Sequence, residues 1–419
     1  MKIKSLKAHE ILASGGYPTV EVIATLENGV TGRASVPYGA SAGSHEATVL
    51  VDGDKSRYGG KGVLTICKSI EEVIAPVVVG MDAEDQRAID EKMVAMDGTE
   101  NKAKLGGNGI LAESLAVAKA AANAKNVPLY QHIRETYAIE GAIETLPNPM
   151  VVVIEGGKHA QDTTDLQEYC LLGISDAGPA ENVRKALETY HELKNVLKEQ
   201  KLSTNVGNEG AFAPNGIETN EKPLEYILQA IERAGYKANK DIAIAIDAAA
   251  SEFYEDGKYN LSIEGKKVSS DELIAYYEPW LQKYPIQTIE DMLHEDDWDA
   301  WVKLTEVAKK YSVENIGDDL TVTNLKRLQK AIDMKAISAI LIKLNQIGSL
   351  TETVDTCMLA REHDMMTVPS HRGGGETNDT AMVDLAVAVG SSYIKVGPTR
   401  GERVSKYNRL MEIEREIRG

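Results

Sequence analysis

Apolar and polar side chains alternate through TVEVIATLENGVTGRASV (19–36), on both sides of Asn28-Gly29. A period of two around a dipeptide suited to a tight type I′ turn predicts a β-hairpin. PYGASAGSHEA (37–47) breaks that alternation with small residues and glycine, and reads as a mobile loop. A helical period follows in DAEDQRAIDEKMVAM (82–96) and in the longer ILAESLAVAKAAANAKNVPLYQHI (110–133). Strands followed by helices predict an α+β domain over residues 1–140. LPNPM, with Pro147 and Pro149, interrupts the pattern and makes a linker.

From Met150 the texture changes. Short apolar runs recur, each followed by a turn and a helical stretch: PMVVVIEGGKH, LLGIS, STNVGNEG, IAIAIDAAAS, IQTIEDML, VENIGDD, AISAILIKLNQ, MMTVPSHRGGG and SSYIKVGP. Such alternation predicts an α/β architecture, a parallel sheet with helices outside it. The 273 residues of 147–419 suit an eight-stranded TIM-like barrel, which takes roughly 250. A doubly wound open sheet is the alternative, but no GxGxxG follows a strand.

Six of these runs end in a titratable residue: Asp247, Glu290, Asp318, Lys343, His371 and Lys395. Their separations are 43, 28, 25, 28 and 24 residues, and all but the first are one βα unit long. In a barrel, strand C-terminal ends converge on the face that carries chemistry. Two carboxylates about 4 Å apart repel by roughly 4 kcal/mol at an effective dielectric near 20. Asp247, Glu290 and Asp318 therefore need a counter-charge, and all-oxygen ligation points to Mg²⁺ or Mn²⁺ rather than zinc. With Lys343, His371, Arg372 and Lys395 across the mouth, the set suits an anionic substrate bridged by a metal. A network of barrel-mouth salt bridges is the competing explanation. Glu168 and Glu209 are spare acids. Glu209 lies between glycines in VGNEGAF, where burial would raise its pKa enough for proton donation. His159 follows Gly156-Gly157 and either contacts substrate or fills the barrel rim.

Composition narrows the partners. Forty-six Lys and Arg against 64 Asp and Glu give 46 − 64 = −18 over 419 residues. A chain this acidic, with no basic run, is a poor ligand for nucleic acid or anionic membrane. Three distant cysteines, Cys67, Cys170 and Cys357, form neither a disulfide framework nor a zinc site. Charged residues interrupt every apolar stretch before it reaches membrane length, and Lys7, His9 and Glu10 stand where a signal peptide needs an apolar core. A cytoplasmic, soluble protein is expected.

Ten motifs resemble, in order, those of the enolase family: VPYGASAGSHEA, DGTENKAKLGGNGIL, GGKHAQDTTDLQEY, STNVGNEGAFAPN, AIDAAASEFY, TIEDMLHEDDW, GDDLTVTN, ILIKLNQIGSLTET, SHRGGGET and IKVGPTRGERVSKYNRL. The resemblance implies a small N-terminal domain and a barrel in which one early strand runs antiparallel. It implies Mg²⁺ at two sites: one on Asp247, Glu290 and Asp318, and a substrate-dependent one on Ser41 as the 37–47 loop closes. It makes Lys343 the base at C2 of 2-phosphoglycerate, kept neutral by neighbouring Mg²⁺ and Lys395. It makes Glu209 the acid for the C3 hydroxyl, with Glu168 beside it. Arg372 would pair with phosphate and Lys395 with carboxylate, while His159, Gln167 and His371 line the pocket. It implies dehydration to phosphoenolpyruvate, a small phosphorylated carboxylic acid as partner, and a homodimer or higher homo-oligomer.

Several positions depart from that family's pattern. Glu155 stands for Asn, Asn208 for Asp, Met292 for Pro and Val396 for Thr, while Tyr38 and Ala42 replace Ser and Thr around Ser41. SHRGGGET lacks the serine after Arg372 and carries an extra glycine, although Gly373–Gly375 offer backbone N–H groups to an anion. Two alternatives therefore stand beside the leading activity. One is a superfamily enzyme acting on a related phosphorylated or phosphonate acid. The other is a catalytically weak homologue with a binding role.

Overall fold

The structure, a computed structural model, describes residues 1–39, 43–143 and 145–419. The expected hairpin forms from β2 (Pro18–Leu26) and β3 (Thr31–Ser35), and β1 (Ile3–Leu12) adds a third antiparallel strand. At the turn, Gly29 takes φ 84°, while Asn28 Oδ1 accepts a hydrogen bond from the Val30 N–H at 3.0 Å. The helical stretch read as continuous over 110–133 is two helices, α2 (Gly107–Lys125) and α3 (Leu129–Thr136), after α1 (Gln86–Asp97). Asn126, left-handed at φ 54°, caps α2, and Pro128 cannot continue its hydrogen-bond ladder. α2 crosses β2 and β3 closely. A Cβ on Gly32 would lie 2.2 Å from the Ala116 carbonyl oxygen, so glycine is required there.

Eight strands follow: β4 (Asn148–Glu155), β5 (Glu168–Gly173), β6 (Ile242–Asp247), β7 (Ile286–Glu290), β8 (Glu314–Gly317), β9 (Ala339–Ile342), β10 (Met366–Pro369) and β11 (Tyr393–Val396). They hydrogen-bond in the order β10-β9-β8-β7-β6-β5-β4-β11. A parallel bridge between Ser370 and Lys395 brings β10 to β11 and closes the ring, which removes the open-sheet alternative. β5 runs antiparallel to both neighbours, as the resemblance implied. Inside, Met150, Val152, Cys170, Leu172, Ala243, Leu341 and Val368 pack together as a lumen core, while the larger core lies beneath the outer helices.

One expected strand is absent. STNVGNEG belongs to the loop between α4 (Pro179–Glu199) and α5 (Lys222–Arg233); Val206 bridges Phe212 within that loop, and Phe212 in turn bridges Ile154 of β4. The reversed β5 explains this. The chain leaves β5 at the end away from the mouth, and α4 carries it back. The α4–α5 connection thus reaches the mouth before α5 returns to β6. The three cysteines are buried and unpaired. Among the described residues, no helix is long and apolar enough to cross a membrane.

Candidate active site

Register places a row of acids at the mouth. Glu155 pairs with Glu168, Glu168 with Asp247, and Asp247 with Glu290, so four carboxylates stand level on adjacent strands. Like charges facing across strands are destabilising. Lys395, three residues into β11, supplies the answer: its Nζ lies 2.9 Å from Glu168 Oε2 and 2.7 Å from both Asp247 Oδ2 and Glu290 Oε2. Burial and Coulombic repulsion still win at two of them. Asp247 is raised above the ordinary carboxylate range and Glu290 well above it. Glu168 is held below its ordinary value, because Lys395 and His159 outweigh burial and the nearby Glu209.

Asp318 takes a different partner. It is ion-paired to Lys343, and its Oδ1 accepts from Gln346 Nε2 at 2.7 Å. Burial works to lower the Lys343 pKa, but Asp318 prevails and raises it. Lys395 works in the expected direction, lowering the Lys343 pKa, but the direct ion pair with Asp318 outweighs it. Within the expected trio, Asp247 and Glu290 share Lys395 while Asp318 pairs with Lys343, and Asp318 still raises the pKa of both other acids. The acids that crowd most tightly here are Asp291, Asp318 and Asp319, with one oxygen from each within 4.8 Å of the others. Asp291 accepts from the Asp318 and Asp319 N–H groups at 3.0 and 2.8 Å. Strand alternation would send Asp291 outward, but its φ of 44° turns it into the cluster.

The side of the cleft around Glu209 gathers four groups. His159 Nδ1 lies 3.2 Å from Glu168 Oε1 and 3.5 Å from Glu209 Oε1, and His371 Nε2 lies 3.1 Å from Glu209 Oε2. Burial opposes the charge on His159, but the two glutamates push it up to about 9. Burial was expected to raise Glu209. Instead the paired His371 and His159 hold it well below the usual range. Gln167 lines the same cleft, its Oε1 buried without a partner. Arg372 is gripped by Glu46, with Nη1 3.1 Å from both carboxylate oxygens. Glu46, 326 residues away in sequence, escaped the sequence reading because no local pattern encodes such a pairing. Ser41 and Ala42 lie outside the described residues.

The acids and cations fill the cleft, leaving about 30 Å³, room for roughly two waters. Its donor set fits a hard divalent cation. Seven carboxylates line it against three permanent cations, Lys343, Arg372 and Lys395. Glu290 Oε1 is buried with no hydrogen-bond partner. An excess of buried carboxylate oxygen, with no sulfur, suits Mg²⁺ or Mn²⁺.

The family model described as enolase, C-terminal TIM barrel domain, matches residues 143–419, and that described as enolase, N-terminal domain, matches residues 3–133. The chain belongs to the enolase family. The departures from the enolase pattern have visible structural settings. At Gly373 a Cβ would lie 2.6 Å from Glu209 Oε1 and from His159 Nε2, so the missing serine has no room in this arrangement. Tyr38 takes the space beside Gly375, where a Cβ would meet its ring at 2.2 Å. The two backbones exchange hydrogen bonds at 3.0 and 2.9 Å, tying the start of the 37–47 loop to the glycine loop of this enolase-family barrel. Met292 is fully buried, and Asn208 is exposed.

Proposed function

We propose that this chain dehydrates 2-phosphoglycerate to phosphoenolpyruvate, reversibly and with Mg²⁺, as a hydro-lyase of glycolysis and gluconeogenesis. One observation carries the reading: an amine and a carboxyl capable of opposite proton transfers face one cleft across a bank of carboxylates. Lys343 enters after β9, and Glu209 enters against β4, with two strands between them on the shorter way round the ring.

Asp247, Glu290 and Asp318 would hold the first Mg²⁺ and Ser41 would join a second. When bound, the ions supply positive charge that offsets the negative charge developing on a deprotonated α-carbon acid. Lys343 Nζ, once neutral, takes the C2 proton. Lys395 stabilises the substrate carboxylate, and Arg372 receives the phosphate by exchanging contacts with Glu46. Glu209 gives a proton to the departing C3 hydroxyl, with His159, itself paired to Glu168, on its Oε1 side and His371 on its Oε2 side. Gln167 and Gly373 complete the lining. Closure of the 37–47 loop keeps water away from the carbanionic intermediate. In this reading residues 1–140 form the lid-bearing domain and residues 147–419 the catalytic barrel, of a cytoplasmic homodimer or higher homo-oligomer.

The test supplies 2-phosphoglycerate and Mg²⁺ and follows the enol product by ultraviolet absorbance. Turnover is expected to fall about 10²- to 10⁴-fold in Lys343→Ala, the usual contribution of a general base. The glycine at 373 favours a second reading, a related phosphorylated or phosphonate acid. Absent turnover of 2-phosphoglycerate with Mg²⁺ still bound would shift the proposal there. Loss of both would leave a binding role.

A further inference from the structure

Glu155 is the member of the acidic row that the proposed reaction leaves without a task. It ends β4, is fully buried, and has no lysine or arginine partner among the described residues. Its carboxylate turns away from Lys395 onto the loop that carries Glu209. Oε1 accepts from the Glu209 N–H at 3.0 Å and from the Ala211 N–H at 2.8 Å, and Oε2 lies 3.1 Å from the same Glu209 nitrogen. The backbone completes the attachment. The Phe212 N–H donates to the Val153 carbonyl at 3.0 Å, and the Glu155 N–H donates to the Phe212 carbonyl at 2.9 Å. A Cβ on Gly207 would lie 2.4 Å from Glu155 Oε2, so glycine lets the loop close over the carboxyl.

We propose that Glu155 is a positioning residue for the proton donor, gripping the backbone of Glu209 and modulating its acidity through a second, buried negative charge. The proposal rests on the reading above, in which Glu209 is the acid. Asn208 next to Glu209 is neutral, so Glu155 is the acidic neighbour that the loop retains. Groups facing Glu155 are Glu209 and His159 from the loops, Glu168 from β5 and Tyr190 from α4, with His371 behind Glu209. Burial and the charge on Glu209 push the Glu155 carboxyl up to about 8. Below that pH it is neutral. Above it, its charge disfavours a second charge on Glu209 and so helps Glu209 retain the proton it must donate.

Glu155→Gln tests this, because a glutamine keeps the Oε1 acceptor and removes the titration. The ratio of wild-type to variant kcat for 2-phosphoglycerate is expected to rise from pH 7 to pH 9, about tenfold for a one-unit difference in Glu209. KM is expected to stay unchanged, since Glu155 does not line the cleft. A kcat ratio that stays flat, or a change confined to KM, overturns the acidity role. An activity-independent readout decides the grip. The ¹⁵N-labelled amides of Glu209 and Ala211 are expected to titrate with a midpoint near 8 in wild type and to lose that midpoint in Glu155→Gln. Amides that titrate alike in both proteins overturn it. A wild type without turnover defeats the functional reading, and the amide titration still decides whether Glu155 holds the loop.

Discussion

Glu168 and Asp247 stand opposite each other on antiparallel strands, and both hold the Nζ of Lys395, at 2.9 and 2.7 Å. Neither could remain charged in this buried place alone, and the third contact, Glu290, binds the same nitrogen.

Replacing the amine leaves those carboxylates uncompensated. Lys395→Met is expected to destabilise the fold by about 3–5 kcal/mol, the usual effect of breaking a buried ion pair from one side. Urea unfolding at pH 7 without added metal measures it. A change below about 1 kcal/mol would show that the acids are neutralised by some other means.

The cation-hungry donor set has its own signature. Adding Mg²⁺ to metal-stripped protein is expected to raise the unfolding midpoint, by about 2.7 kcal/mol of stability at a hundred times the dissociation constant. Asp318→Asn should remove most of that gain. An equal gain in wild type and variant would place the ion elsewhere.

At Gly373 the constraint is steric. A serine there must displace Glu209 or His159, both buried and ion-paired. Gly373→Ser is expected to cost about 10²-fold in kcat, since an ångström of misplacement suffices for that. Steady-state kinetics beside a circular dichroism spectrum separates this from unfolding, and unchanged kcat would show that the two side chains yield freely.

Away from the cleft, His132 on α3 is 1 % exposed, and burial depresses its pKa to about 4. Unfolding restores a value near 6.5. A depressed folded-state pKa stabilises above the unfolded value and loses that contribution as pH falls from about 6.5 to about 4. The loss amounts to about 3 kcal/mol. His132→Leu is expected to flatten the stability profile across this window. Denaturant midpoints at pH 7 and 4.5 give the comparison, and parallel profiles would assign the acid sensitivity to other groups.

The strand-end acids and lysines were legible because a closed ring converts a repeated sequence position into spatial neighbourhood. Asp247, Glu290, Asp318, Lys343, His371 and Lys395 all meet the mouth for that reason. Glu46 and Asp291 were hidden by different physics: the first reaches Arg372 across the whole chain, and the second is turned inward by its left-handed backbone. The Glu209 loop reads as a strand in the sequence because short apolar runs beside glycine look alike whether or not they pair. The acidity of Glu209 reads differently in the sequence, where burial alone is legible, because its opposing partners His159 and His371 are supplied by tertiary structure.

Lys395 arrives on the last strand of the ring, after Glu168, Asp247 and Glu290 have all been synthesised. A nascent chain would therefore hold mutually repelling anions without their shared ammonium until β11 has been made. Final locking of the cylinder is thus tied to its latest-made stave, and premature termination before β11 would leave an anionic rim that resists compaction.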